Sequence, residues 1–210
     1  MKGAIFDVDG TILDSQKVWN DITGKFFEKH NLILTREKAL TYKEMTLEES
    51  LPQINAEFNL GMTTEEITEE FKLMVAEEYK NNIPLKDNAD KYLKKLHESG
   101  VKIAVATSGY IGVCEMAFER LDIFKYIDAY AYSSEVMCNK SKPDVYLLAS
   151  ERIGAEPEEC TVFEDLLLGI NTAKKAGFKT CAVYDETNID DTVLLKENAD
   201  IYIENWSELL

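Results

Sequence analysis

Two aspartates near the amino terminus have the spacing of a catalytic or metal-binding loop. Asp7 and Asp9 follow the apolar run of residues 4–6, and Gly10 and Thr11 come directly after them. The pattern predicts a buried strand that ends in an acidic, tightly turning loop. Ligands of an open parallel sheet bind beyond the carboxyl ends of its strands, where these carboxylates would lie. The alternative is a polar turn in which Asp and Gly serve turn geometry alone.

Polar side chains also follow two later apolar runs that are typical of strands. They are Thr107, Ser108 and Gly109 after residues 102–106, and Glu164 and Asp165 after residues 160–163. Because parallel strands end at one edge of a sheet, we expect these side chains to meet the first loop there. Several carboxylates at one point repel one another unless a cation holds them, and hard oxygen ligands favour Mg²⁺. The sequence therefore predicts a magnesium site.

Two lysines, Lys140 and Lys142, stand on a predicted loop just before a helix. Hydroxyl groups and lysines beside a cation suit a phosphoryl group, because its charge lies on oxygen atoms that must be held and neutralised. His30 and His97 stand on separate predicted helices without a paired nucleophile, so a Ser-His-Asp or Cys-His mechanism has no support. The candidate chemistry is therefore that of a phosphoryl group.

Composition narrows the class of partner. The chain has 210 residues, of which 45% are hydrophobic, enough for a substantial core. Its 39 acidic and 23 basic residues give a net charge of −16, which repels nucleic acid and anionic membranes and favours small or cationic partners. The sequence has no apolar run of membrane-spanning length and no signal-peptide core near its start, so we expect a cytoplasmic protein. The four cysteines lack paired spacing and are expected to be free thiols.

The order of predicted elements divides the chain into two parts. Residues 15–82 carry helical periodicity, with candidate capping boxes at 46–49 and 63–66, and contain no β-rich run. From residue 83 onwards helices and strands alternate, starting with a helix that Asp87 is expected to cap, which implies a parallel sheet with helices on both faces. We therefore predict an α/β fold, a doubly wound parallel sheet, into which residues 15–82 are inserted as a small all-helical domain.

The motifs resemble those of the haloacid dehalogenase-like (HAD) hydrolases, in the branch with a helical cap inserted after the first strand. Four motifs in order carry the resemblance across the whole chain: residues 6–11, 106–109, 140–144, and 163–165 with 169–170 and 176–177. The resemblance implies a Rossmann-like catalytic core, residues 1–14 and 83–210. It also implies a cap domain, residues 15–82, that closes over the core and excludes bulk water.

The resemblance further implies a covalent mechanism. Asp7 would attack phosphorus and form an aspartyl-phosphate, and Asp9 would protonate the leaving alcohol and then deprotonate the water that releases phosphate. Dehalogenases of the same family lack the second aspartate, so Asp9 favours phosphate chemistry. Mg²⁺ would be held by the Asp7 carboxylate, the Asp9 backbone carbonyl and Asp165. Glu164 would be a further or water-mediated ligand.

The second and third motifs imply substrate contacts. Residues 107–109 would bind the phosphoryl group together with a lysine. The third motif of the family usually reads Lys-Pro-x-Pro-Asp, whereas residues 140–144 read Lys-Ser-Lys-Pro-Asp. We favour Lys140 for the catalytic position, while a one-residue shift of the loop would exchange its role with that of Lys142. In the fourth motif Leu166 replaces the usual serine, which removes a hydrogen bond near the metal ligands but leaves both acidic residues.

Residues 43–51 are similar to the cap loop of β-phosphoglucomutase-like members of the family. Lys43 holds the place of a lysine that faces the active site and binds substrate in those proteins, although Glu44 replaces the glycine that follows it. A solvated surface lysine is the alternative. The mutases are expected to carry a histidine where Trp19 stands and an arginine where Leu47 stands, which weakens a mutase assignment.

Three functions follow from these residues, in order of preference. The first is an Mg²⁺-dependent phosphatase that hydrolyses a small phosphate monoester, with a phosphorylated metabolite as its partner. The second is a β-phosphoglucomutase-like sugar-phosphate mutase, which would share the aspartyl-phosphate. The third is a non-enzymatic sensor that accepts phosphate on an aspartate, for which Asp9 and the inserted helical domain would be unnecessary. The oligomeric state is left open.

Overall fold

The computed structural model of the chain describes residues 1–43 and 47–210, the side chains of residues 20, 40, 43 and 47–49 excepted. The described residues form two compact units. The core unit consists of Met1–Gln16 with Ile83–Leu210, and the helical unit consists of Lys17–Asn82. The roles of these units as catalytic core and cap stay predictions.

Four helices make up the described part of the helical unit, and the first begins one residue before the unit. They are α1 (Gln16–Lys29), α2 (Arg36–Lys43), α3 (Leu47–Phe58) and α4 (Thr64–Asn81). The side chains of Thr63 and Glu66 each accept a hydrogen bond from the other's backbone N–H, so the predicted capping box at 63–66 is confirmed. The one predicted at 46–49 depends on a residue and side chains outside the described part of the chain. Buried residues recur along α4 at Ile67, Phe71, Val75 and Tyr79. This spacing puts them on one face of the helix, which packs inward.

The core unit is built on one six-stranded sheet. Its strands are β1 (Gly3–Phe6), β2 (Lys102–Thr107), β3 (Ala129–Tyr132), β4 (Cys160–Glu164), β5 (Lys179–Val183) and β6 (Ile201–Ile203). The strand order is β3-β2-β1-β4-β5-β6 and every pairing is parallel. The first strand therefore lies between β2 and β4, with Phe6 paired to Val105 on one side and to Phe163 on the other.

Helices connect the strands. They are α5 (Ala89–Glu98), α6 (Val113–Arg120), α7 (Ser133–Val136), α8 (Asp144–Arg152), α9 (Leu167–Lys175) and α10 (Thr192–Asn198), with 3₁₀ turns at Phe124–Tyr126, Pro157–Glu159, Glu186–Asp191 and Trp206–Leu209. The alternation of strand and helix along the chain produces the parallel order, because each crossover returns the chain to the same edge of the sheet.

Both faces of the sheet are covered. Successive strand residues point to opposite faces, and Ile5 lies in a buried cluster with Tyr146 of α8. Its neighbour Phe6 instead stacks on Phe163, with ring centroids 4.5 Å apart, and contacts Trp206 of the last 3₁₀ turn at 5.7 Å. The predicted doubly wound parallel sheet is therefore confirmed.

Two local details differ from the sequence-based expectation. The cap of α5 is Asn88, not Asp87, and its backbone has φ of 66°, in the left-handed region. The Asn88 side chain donates to Asn205 at 3.1 Å instead of capping the helix. Helix α10 was not predicted, because Leu195 is its one buried residue and a single apolar position carries no periodicity.

The cysteines are free thiols, as expected. Cys114, Cys160 and Cys181 are buried, and Cys138 is partly buried.

Within residues 1–43 and 47–210, no helix has the length and apolar character needed to cross a membrane.

Candidate active site

The ends of β1 and β4 bring three carboxylates together. Asp7 follows β1, Glu164 ends β4 and Asp165 follows it, and each offers an oxygen atom within 4.8 Å of the others. All three side chains are buried, with Asp7 6% exposed and Glu164 and Asp165 fully enclosed. The parallel register of the two strands puts these residues at one edge of the sheet, where the sequence predicted a magnesium site.

Lys140 supplies a positive charge inside this cluster. Its Nζ contacts Oδ1 of Asp7 and lies 2.7 Å from Oε1 of Glu164. The residue is 8% exposed. Lys142, the alternative for the catalytic position, is exposed. The loop before α8 thus directs the first of its two lysines, and not the second, to the carboxylates.

Glu164 is held from several directions. Its Oε1 accepts a hydrogen bond of 2.9 Å from the Tyr146 hydroxyl, and its Oε2 accepts one of 3.0 Å from the Leu166 backbone N–H. A Cβ atom at Gly169 would lie 2.5 Å from Cδ of Glu164, so a larger residue there would have to displace the carboxylate. Sequence reasoning missed Tyr146, although its place one turn after the lysine loop was a usable signal.

Asp165 is surrounded by donors. Its Oδ2 accepts hydrogen bonds from Nε2 of Gln16 at 3.2 Å and from Nδ2 of Asn188 at 2.7 Å, and its Oδ1 lies 3.5 Å from Oγ1 of Thr11. Gly10, with φ of 84°, lets the first loop pass so close that an added Cβ would clash with the Asp165 carboxylate. The contacts of Gln16 and Asn188 were not predicted, because neither residue belongs to a recognisable motif.

Asp9 lies beside the cluster and accepts hydrogen bonds from two nearby side chains. Oδ1 of Asp9 accepts a 2.6 Å hydrogen bond from the Ser15 hydroxyl, and its backbone carbonyl accepts a 3.0 Å hydrogen bond from Gln16. The three-acid cluster is made up of other side chains. The expectation that Asp9 offers a cation its carbonyl oxygen and uses its carboxylate for proton transfer stays a prediction.

The second motif lies at the end of β2, next to Asp9. Thr107 is buried, and its hydroxyl oxygen accepts a 2.9 Å hydrogen bond from the Gly109 backbone N–H. A Cβ atom at Gly109 would lie 4.0 Å from Oδ2 of Asp9. Ser108 is exposed, and its hydroxyl contacts Ser133 at 2.9 Å. The Lys43 side chain lies outside the described residues.

The electrostatics of the cluster follow from burial and from mutual repulsion. Burial is the main cause that raises the pKa of Asp7 to about 7; Lys140 opposes it, while Glu164 and Asp9 add to it. Burial also raises the pKa of Asp165, and the carboxylates of Glu164 and Asp7 raise it further. Burial alone would lower the pKa of Lys140, but Asp7 and Glu164 raise it well above its ordinary value.

The donor set fits a hard divalent cation. Three buried carboxylates share one buried ammonium group, which leaves negative charge that another cation would neutralise. All the candidate donors are oxygen atoms, the kind that Mg²⁺ prefers.

The fold and this site together define an α/β protein whose parallel sheet carries a buried cluster of carboxylates at the carboxyl ends of its central strands. Residues 4–183 match the family described as haloacid dehalogenase-like hydrolase, and the chain belongs to this family. The resemblance stated from the motifs is thereby confirmed.

Two curated relatives that align with more than four-fifths of this chain are named as phosphatases. A phosphorylated carbohydrates phosphatase of Thermotoga maritima is 29% identical over 183 residues, 85% of this chain and 83% of that protein. The fructose-1-phosphate phosphatase YqaB of Escherichia coli is 29% identical over 182 residues, 83% of this chain and 92% of that protein. The prediction of an enzyme, a phosphatase of the HAD type, is confirmed at this level.

Solved structures share the fold across the whole chain. The β-phosphoglucomutase of Clostridium difficile aligns with a TM-score of 0.74 at 19% identity, covering 100% of this chain and 93% of its own. At this identity the likeness bears on the fold alone.

Proposed function

We propose that this enzyme is an Mg²⁺-dependent phosphatase that hydrolyses a small phosphate monoester through an aspartyl-phosphate on Asp7. The observation that carries the proposal is the buried contact of Lys140 with Asp7 and Glu164, beside Asp165. A carboxylate held next to an ammonium group and a cation site can attack phosphorus while the phosphoryl charge is neutralised.

In the first step, an oxygen lone pair of Asp7 attacks phosphorus and the bond from phosphorus to the leaving alcohol breaks. Asp9 donates a proton to the alcohol oxygen as it leaves. In the second step, Asp9 takes a proton from water, the water oxygen attacks phosphorus, and the bond to Asp7 breaks to release inorganic phosphate. The hydrogen bond from Ser15 to Oδ1 orients the Asp9 carboxylate for both transfers.

Other side chains hold the phosphoryl group and the cation. Lys140 and Thr107, with residues 108–109, would bind the phosphoryl oxygens. Asp7, the Asp9 carbonyl and Asp165 would hold Mg²⁺, which when bound supplies a Lewis acid for the phosphoryl oxygens. Both oxygens of Glu164 already accept hydrogen bonds, which favours a water-mediated contact of Glu164 with the cation over a direct one.

For the substrate we propose a phosphorylated sugar. The names of the two curated relatives, a phosphorylated carbohydrates phosphatase and a fructose-1-phosphate phosphatase, support this class. Because the net charge is −16, the buried ammonium group of Lys140 and a bound cation would be the points at the site that attract an anionic ester. A contact of Lys43 with the substrate and a cytoplasmic location both remain predictions.

Phosphate release from a panel of sugar phosphates, including fructose 1-phosphate, tests the proposal, with an aryl phosphate as a generic substrate. We expect sustained turnover with Mg²⁺, its loss in EDTA and its return when Mg²⁺ is restored. Acid-quenched enzyme should carry a phosphoryl group on the peptide that contains Asp7. Turnover that persists in EDTA, or a phosphoryl group on another residue, would contradict the mechanism.

The same assay separates the two alternatives. A mutase would convert β-glucose 1-phosphate into glucose 6-phosphate, whereas a phosphatase releases inorganic phosphate from it. Trp19 and Leu47, at the places where a histidine and an arginine are expected in the mutases, support the phosphatase. A sensor would release no more than about one phosphate per chain, since it needs no turnover.

A further inference from the structure

Gln16, the first residue of α1, spans two oxygen atoms of the proposed cation site. Its Nε2 donates to the carbonyl oxygen of Asp9 at 3.0 Å and to Oδ2 of Asp165 at 3.2 Å. Gln16 belongs to the core unit and is half-buried. The Asp9 carbonyl oxygen and the Asp165 carboxylate would both hold Mg²⁺ in the proposed function.

The donors at Asp165 leave little room for a cation beside Gln16. Oδ2 accepts from Asn188 at 2.7 Å as well as from Gln16, and a carboxylate oxygen has about two lone-pair positions in its plane. A cation can bind this atom only when one donor withdraws. The bond from Gln16 is the longer and therefore the weaker of the two, so Gln16 is the one to leave.

The partial charge on the amide hydrogens of Gln16 leads to the same conclusion. The N–H hydrogens of Gln16 carry partial positive charge and point toward the Asp9 carbonyl and Asp165. A divalent cation bound between those oxygens would repel the hydrogens, whereas without it they neutralise part of the charge on the buried carboxylate. Amide and cation therefore serve the same two oxygen atoms and exclude each other.

On the basis of the proposed cation site, we infer that Gln16 is a positioning residue that takes the place of the cation in the metal-free protein. Its amide keeps the Asp9 loop and the Asp165 carboxylate together until Mg²⁺ replaces it. A group that stabilises only the metal-free form lowers the apparent affinity for the metal by the same free energy. Gln16 thus keeps the site assembled while it makes the cation easier to exchange.

Gln16→Met tests the role of the donor, because methionine keeps the length of the side chain and removes both N–H groups. Mg²⁺ binding is measured by isothermal titration with no other ligand, and thermal unfolding is followed in EDTA and in saturating Mg²⁺. We expect the dissociation constant for Mg²⁺ to fall by about tenfold, the effect of one charge-assisted hydrogen bond. The melting temperature should fall in EDTA and match the wild-type value in Mg²⁺.

Gln53→Met is the matched control, since Gln53 is exposed on α3. It should change neither the affinity for Mg²⁺ nor the effect of EDTA on unfolding. Gln16→Glu is the second variant. Its carboxylate repels Asp165 when no cation is bound and attracts the cation when one is present. The gain in affinity for Mg²⁺ and the loss of melting temperature in EDTA should therefore both exceed those of Gln16→Met.

The outcomes distinguish this role from a structural one. Two results for Gln16→Met would overturn the role of Gln16: an equal loss of melting temperature with and without Mg²⁺, or an affinity for Mg²⁺ that is unchanged or weaker. In either case, binding of Mg²⁺ by the wild-type protein would still support the cation site. Failure of the wild-type protein to bind Mg²⁺ at all would overturn the cation site of the proposed function, and the role of Gln16 with it.

Discussion

The hydroxyl group of Tyr146 donates a 2.9 Å hydrogen bond to Oε1 of Glu164, the oxygen that also accepts from Lys140. All three side chains are buried. Glu164 thereby joins α8, which carries Tyr146, to the loop that carries Lys140. Because the glutamate is held by fixed donors, it can orient the ammonium group toward Asp7 without having to move.

Gly169 is required by this arrangement, and Gly169→Ala should reduce stability. The added Cβ would lie 2.5 Å from Cδ of Glu164 and 2.7 Å from the Tyr146 hydroxyl. Overpacking of this kind costs about 1–3 kcal/mol. Urea unfolding of the variant measures the loss, and phosphate release should fall with it because the Glu164 carboxylate is displaced.

Gly24→Ala is the matched control for that prediction. Gly24 also lies inside a helix, but an added Cβ there meets no atom within 4 Å. Alanine in an open helix position is favoured by up to about 1 kcal/mol over glycine. The changes in the free energy of unfolding should therefore have opposite signs in the two variants. A stabilised Gly169→Ala protein would show that the close packing around Glu164 is wrong.

Lys140→Met should lower kcat by about 10²–10³, the usual effect of removing one group that stabilises transition-state charge. Lys142→Met should behave like the wild type, because Lys142 is exposed whereas Lys140 contacts Asp7. Steady-state kinetics on the best substrate compares the two variants. A large effect at Lys142 with none at Lys140 would reverse the assignment of the third motif.

Asp7→Asn should reduce kcat by at least about a thousandfold with the fold intact, because an amide cannot attack phosphorus. Circular dichroism and Mg²⁺ titration report on folding and on the cation site separately. Asp7 is also a proposed ligand, so weaker Mg²⁺ binding is expected in the same variant. Activity close to that of the wild type would remove Asp7 from the role of nucleophile.

Asp185 should make stability depend on pH. Its carboxylate is buried, lies 2.8 Å from the Lys86 ammonium, and accepts hydrogen bonds from Thr187. Burial alone would raise the pKa of Asp185, but Lys86 and Thr187 lower it below its ordinary value. The unfolded chain then binds a proton at higher pH than the folded chain does. The stabilisation is therefore present above about pH 4 and is lost as pH falls through the lower folded pKa.

Asp185→Asn tests this dependence. The free energy of unfolding should fall by about 1–3 kcal/mol at neutral pH, the contribution of charge-assisted hydrogen bonds. The difference from the wild type should shrink as the pH is lowered toward 3. Asp190→Asn is the control, because Asp190 is exposed in the 3₁₀ turn that directly follows Asp185. A difference that stays constant with pH would refute the ion pair as its source.

Much of the fold could be predicted because its signals are local. The apolar runs that form β1, β2 and β4, and the capping box at Thr63, each depend on a few consecutive residues. Prediction from local signals was wrong where a side chain binds a residue that is distant in sequence. Asn88, which begins α5 in place of Asp87, binds Asn205, a residue 117 positions further on.

The sequence alone determined the alternation of elements, the acidic strand ends and the family, since each is written in short motifs of fixed spacing. The tertiary structure alone decided which lysine reaches Asp7, because Lys140 and Lys142 are alike in sequence and differ in the direction that their loop gives them. It also brought the amides of Gln16 and Asn188 to Asp165. Contacts of this kind depend on how the ends of distant elements pack, and no spacing within one element encodes them.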